Sequence, residues 1–151
     1  MFGGWIEILM LTLSYPIRLM STGLSVGILR TFGFDVTANL TLITVAGRES
    51  GIAVTDACGG IDQLAGLLVV GIVLSVVMQR KWRWRLMHFA CILPALVLAN
   101  ALRLVLTIVL LSQFGDVVLA NTCHHALGWL QVVLVVVFIW LFGKLIRFAA
   151  H

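Results

Sequence analysis

The sequence predicts an all-α membrane protein of about four transmembrane helices, with a small β-hairpin on its outer face. Three observations carry this. The 151 residues are 62% hydrophobic and only 11% charged, whereas a water-soluble domain is about half apolar and a quarter charged. The mean hydropathy is +1.14. The apolar residues gather in four stretches, Trp5 to Phe32, Ala57 to Val77, Leu86 to Leu111 and Ala126 to Ile146, each near the ~20 residues that cross a ~30 Å hydrocarbon layer. Soluble, disordered and disulfide-rich secreted classes are excluded. Residues 1–151 read as a single domain with no internal repeat and no linker.

The first stretch carries Glu7, Pro16, Arg18 and Arg30, and no Lys or Arg precedes Leu9 as a signal-peptide n-region requires. It reads as an uncleaved crossing bent near Tyr15-Pro16, with an interfacial amphipathic helix as the second reading. From Val36 to Ile43 apolar and polar residues alternate, Gly47-Arg48-Glu49-Ser50-Gly51 supplies a turn, and Ile52 and Val54 resume the alternation. That pattern predicts the hairpin. Between the second and third stretches, Arg80-Lys81-Trp82-Arg83-Trp84-Arg85 interleaves four cations with two tryptophans. By the positive-inside rule this loop is cytoplasmic, with its rings at headgroup level. Lys144 and Arg147 lie at the same edge, while the opposite loops hold Arg48 alone among cations, so Cys58 and His124 face outward. The net charge of +4 thus reports orientation and gives no ground for a nucleic-acid partner.

Polar residues inside apolar spans raise the question of what they do there. At ~1.5 Å per residue, Cys58 lies ~32 Å above Gln79, Arg103 ~27 Å above Arg85 and His124 ~30 Å above Lys144. Three helices therefore carry Cys, Arg and His at nearly one depth. Cys58 opens the second helix within Asp56-Ala57-Cys58-Gly59-Gly60, where backbone N–H groups favour a thiolate and glycines admit a substrate backbone. His124 can move a proton near neutrality, and the fork of donors on Arg103 can hold an oxyanion. Each residue also has an ordinary reading: Cys58 as a small core residue, Arg103 as a snorkelling anchor and His124 as a helix-start or surface residue. Asp62, one turn beyond Cys58, is costly in lipid and so belongs toward the bundle.

Three short motifs then coincide. Ala57-Cys58-Gly59-Gly60-Ile61 resembles the cysteine motif of the exosortase and archaeosortase family, Ala99-Asn100-Ala101-Leu102-Arg103 its Asn-x-x-Arg motif, and His124-His125-Ala126-Leu127-Gly128 its His-x-x-x-Gly motif. Tyr15-Pro16-Ile17-Arg18 and the hairpin resemble the family's lead-in, so the resemblance covers nearly the whole chain. It implies an integral-membrane cysteine transpeptidase acting on exported proteins that bear a PEP-CTERM-like sorting signal: a short motif, a transmembrane helix and a basic cluster. Cys58 would be the nucleophile, His124 the acid/base and Arg103 the transition-state stabiliser. Asn100, one turn from Arg103 on the same face, would orient it.

Gly59 stands where the family most often has Ser, His125 where an Asp often follows the histidine, and the extra N-terminal helices of many relatives have no counterpart. The four-residue step to Gly128 favours His124 over His125. Cys58, Cys91 and Cys123 form no zinc or disulfide spacing. The run Cys123-His124-His125 cannot easily turn three consecutive side chains to one ion, and His88 lies at the opposite edge from His124, so neither metal nor haem is expected. No cofactor is implied, and membrane lipid and sorting-signal proteins are the expected partners. A carrier whose polar cavity is lined by Arg103 and His124 is the competing class, and a redox pair of Cys58 and Cys123 a third. A carrier has no need of Cys58.

Overall fold

The computed structural model describes residues 3–47, 52–53, 61–79, 81–115 and 121–149, with the backbone alone at positions 3, 6, 7, 10, 52, 53, 61–65 and 121–124. The element order is α1 (Gly3–Thr31), β1 (Val36–Asn39), β2 (Leu42–Val45), β3 (Ile52–Ala53), α2 (Ile61–Met78), α3 (Trp82–Ala90), α4 (Ile92–Phe114) and α5 (Asn121–Ala149). Two helical runs, Trp82–Phe114 and His125–Ala149, are long and apolar enough to cross a membrane, and Gly66–Met78 is a shorter apolar helix.

The helix α1 is continuous through Pro16 over 29 residues, and its faces are inverted relative to a soluble helix. Ser14, Ser21, Thr22 and Ser25 are buried together with Ile17, Val26 and Leu29, while Ile8, Leu9, Leu11, Leu19, Met20 and Leu24 are exposed. The Ser21 hydroxyl donates to Ile17 O at 2.6 Å and lies 3.3 Å from Val97 O across the contact with α4. Small residues at such a crossing let backbones approach, and hydroxyls bond across it, as membrane helices do. Exposed Val69, Val73, Val76 and Val77 on α2, and Val133, Val137, Leu141 and Leu145 on α5, extend the apolar exterior around the bundle. An apolar coat of this extent needs lipid.

At the centre is α4. Ile92, Ala95, Leu96, Val97 and Ala99 pack with Ile17, Leu67, Val135 and Ile139, joining all the long helices in one core. Further along, Leu104 and Ile108 meet Val26, Leu29, Val36 and Ile43, which seats the sheet on the ends of α1 and α4. The break between α3 and α4 at Cys91 has a local cause. Pro94 has no N–H to give the carbonyl four residues back, and Cys91 keeps helical dihedrals (φ −74°, ψ −11°), so the two helices remain in series.

Two expectations need correction. The sequence places Arg80 to Arg85 in a loop, but Trp84 N and Arg85 N both donate to Lys81 O and α3 begins at Trp82. The tryptophan-cation alternation is compatible with either state, and the apolar helix simply extends back over it. The second concerns the hairpin, which is a three-stranded antiparallel meander in the order β1-β2-β3. Its first turn is Leu40-Thr41, between paired Asn39 and Leu42, and not only the glycine-flanked segment after Val45. A two-residue turn moves the inward face from even positions (Val36) to odd ones (Ile43), so a period of two read straight through from Val36 to Ile43 hides it. Leu40 takes φ 55° there, a left-handed conformation that costs about 1–2 kcal/mol for a residue with a Cβ.

Candidate functional site

Along α4, Asn100 and Arg103 lie one turn apart and both turn inward, with 3% and 1% of their surface exposed. A guanidinium in such a place has to be hydrogen-bonded, because burying a charge without partners costs several kcal/mol. Arg103 Nη1 donates to Gln131 Oε1 on α5 at 2.6 Å, and Gln131 Nε2 donates a longer bond of 3.5 Å to Asn100 Oδ1. Gln131 thus uses both ends of its amide, accepting from the arginine and donating to the asparagine. Sequence reasoning anticipates Asn100 as the orienting partner; Asn100 reaches Arg103 through a residue that reasoning missed.

A signal for Gln131 was present. It is an amide inside a span of Val and Leu, and it lies seven residues after position 124, which returns a helix to the same face two turns on. Leu127, Val135, Ile139 and Ile146 are buried along that side of α5. Gln131 stands ~10 Å along the axis from position 124, so the guanidinium is anchored deeper than the start of α5. Ala99, Ala101 and Leu104, on the same helix, are fully buried. Thr107 closes the next turn by donating to Arg103 O at 2.7 Å.

The other expected site residues are placed less completely. Cys58, Gly59 and Gly60 lie outside the described residues. Asp62 and His124 belong to the first turns of α2 and α5, with their backbones described and their side chains not. His125 is exposed. Among the described residues no group of three His, Cys, Asp or Glu side chains could hold a metal ion, and Cys91 is a free, half-buried cysteine of α3–α4.

A buried Arg–Gln–Asn cluster inside an apolar bundle can orient an anion-stabilising guanidinium without water. A family model described as transmembrane exosortase matches residues 2–141. The chain belongs to the exosortase family. Exosortases are membrane cysteine transpeptidases, which agrees with the resemblance carried by the Cys58, Arg103 and His124 motifs. No curated protein and no solved structure matches the chain significantly.

At the opposite end from the sheet, this exosortase binds its helices together through main-chain carbonyls. Gln79 Nε2 donates to Gly143 O at 3.0 Å, Arg85 Nε to Gln79 O at 2.7 Å and Arg147 Nη2 to Met78 O at 2.5 Å. The fully buried His88 donates from Nε2 to Ile139 O at 2.7 Å, since a carbonyl can only accept. Gly143 is required here: a Cβ would stand 2.7 Å from Met78 Cε and 2.8 Å from His88 Cε1.

Proposed function

We propose that this exosortase cleaves the C-terminal sorting signal of exported proteins through a thioester on Cys58 and passes the new C-terminus to an acceptor nucleophile. Four crossings carry the site to the outer side of the cell membrane, with the Lys81 to Arg85 edge in the cytoplasm. The observation that supports this beyond family membership is the anchored guanidinium of Arg103, held by Gln131 two turns from His124 on the same helix.

In the proposed reaction His124 takes the thiol proton as Cys58 sulfur attacks the scissile carbonyl. Arg103 donates to the oxygen as it becomes an oxyanion, and Gln131 and Asn100 keep the guanidinium plane in place. Collapse of the tetrahedral intermediate breaks the C–N bond, and His124 returns the proton to the departing amine. The acceptor then attacks the thioester and frees the cysteine. Gly59 and Gly60 leave room for the substrate backbone, and Asp62 supports the site one turn further on.

The test is to incubate membranes carrying the protein with a candidate sorting-signal substrate, trap at low pH, and identify the acylated residue by mass spectrometry. The expected adduct is on Cys58, is released by hydroxylamine, and is suppressed in His124→Ala. An adduct on Cys123, or cleavage that persists in Cys58→Ala, overturns the assignment of the nucleophile.

A further inference from the structure

The cations at the basic end divide into two groups. Arg85 and Arg147 are spent on carbonyls, and Lys144 Nζ sits 3.9 Å above the centroid of the Trp140 ring. The side chains of Lys81 and Arg83 make no hydrogen bond or ion pair with any described residue. Both instead line a recess of about 380 Å³ whose other walls among the described residues are Trp84 and Met87, a volume at the small end of ligand sites. The recess is bordered by the start of α3, where Lys81 is the N-cap with no side-chain cap and no acid occupies the first turn. Two cations with uncommitted side chains beside an uncapped helix start make an anion site, and two of the four described lining side chains are apolar.

We propose that this recess binds one anionic phospholipid, with its phosphate on Lys81 and Arg83 and its glycerol backbone against Trp84 and Met87. Apolar surface for acyl chains lies on the neighbouring face of the same helix. Trp82, Leu86, Phe89 and Leu93 are 70%, 50%, 50% and 45% exposed and recur at intervals of four, three and four, forming an apolar stripe along α3 and into α4. A free phosphate would use the cations alone, whereas a lipid uses the cations, the indole and the stripe. Positive residues at a membrane edge also attract anionic lipid diffusely; a site differs in being saturable and local. The proposal is independent of the acyl-transfer reading.

The experiment is native mass spectrometry of the detergent-solubilised full chain titrated with phosphatidylglycerol, phosphatidylcholine or inorganic phosphate. One phosphatidylglycerol should be retained per chain, at least 10-fold more tightly than phosphatidylcholine, and 10 mM phosphate should not displace it. Lys81→Gln with Arg83→Gln should abolish that difference. A control pair removing the same charge elsewhere, Arg30→Gln with Lys144→Gln, should leave it within 2-fold. Equal loss in both pairs means diffuse attraction, and displacement by phosphate means a free-anion site; either overturns the proposal. Should the recess pair fail to fold, phosphatidylglycerol with brominated acyl chains can be added to the unaltered protein. Its saturable quenching of tryptophan fluorescence should shrink in Trp84→Phe, and unchanged or non-saturable quenching refutes the site.

Discussion

The polar groups buried near the middle of α4 differ in kind from those at the basic end. At the basic end the bonds from buried or half-buried polar side chains run, among the described residues, to main-chain carbonyls: Gln79 to Gly143, Arg85 to Gln79, His88 to Ile139. The Arg103 guanidinium, by contrast, bonds a side chain on another helix, Gln131, which in turn bonds Asn100. A carbonyl is present whatever residue carries it, so the basic end acts as a clasp that fixes how helices meet. A side-chain pair exists only for those two residue types, and it fixes an atom rather than a helix. With the proposed reaction, the difference puts architecture at one end and chemistry at the other, and substitutions on either side of it should separate stability from turnover.

Arg103→Lys should give the largest change. Lys keeps the charge and loses the planar fork, and one lost oxyanion donor is worth about 3 kcal/mol, roughly 100-fold in kcat for a sorting-signal substrate. Single-turnover cleavage measures it, and a Lys variant of unaltered rate would move Arg103 to the architectural side.

Next comes the clasp. Gly143→Ala sets a methyl against His88 and Met78, and overpacking of this kind costs about 1–3 kcal/mol. The thermal midpoint of the detergent-solubilised protein should fall while the rate per folded molecule stays the same. A drop in kcat at unchanged stability would erase the division between the two regions.

Gln131→Leu sharpens the comparison from the other side. Losing a hydrogen bond to a charged group is worth ~1.5 kcal/mol or more, on the order of 10-fold in rate. In the proposed reaction the guanidinium acts in the transition state, so kcat should fall with KM little changed. If KM rises instead and kcat holds, Gln131 touches substrate directly and is more than a positioning residue.

The smallest effect belongs to the α1–α4 crossing. Ser21→Ala removes the hydroxyl near Val97 O, and interhelical hydrogen bonds in membrane proteins average ~0.6 kcal/mol. A slight loss of thermal stability with normal cleavage is expected; a loss above ~2 kcal/mol would show that the crossing relies on this bond.

Composition and periodicity were enough to read a helical membrane protein, its long apolar segments, its basic edge and its small sheet, because lipid demands apolar exteriors and those demands are written residue by residue. The Arg103 motif was legible for a related reason: an arginine among leucines has to be accounted for. A period of two read straight through hid the turn at Leu40-Thr41, where the inward face passes from even to odd positions, and periodicity could not place the start of α3 among cations and tryptophans that suit loop and helix alike. Nor could it choose the partner of Arg103. That pairing joins residues 28 apart on different helices, and it depends on which faces of α4 and α5 meet and how far two long side chains reach. Only the packing of small residues along α1 and α4, and the clasp at the basic end, set those faces, so only the tertiary structure could bring Gln131 to the guanidinium.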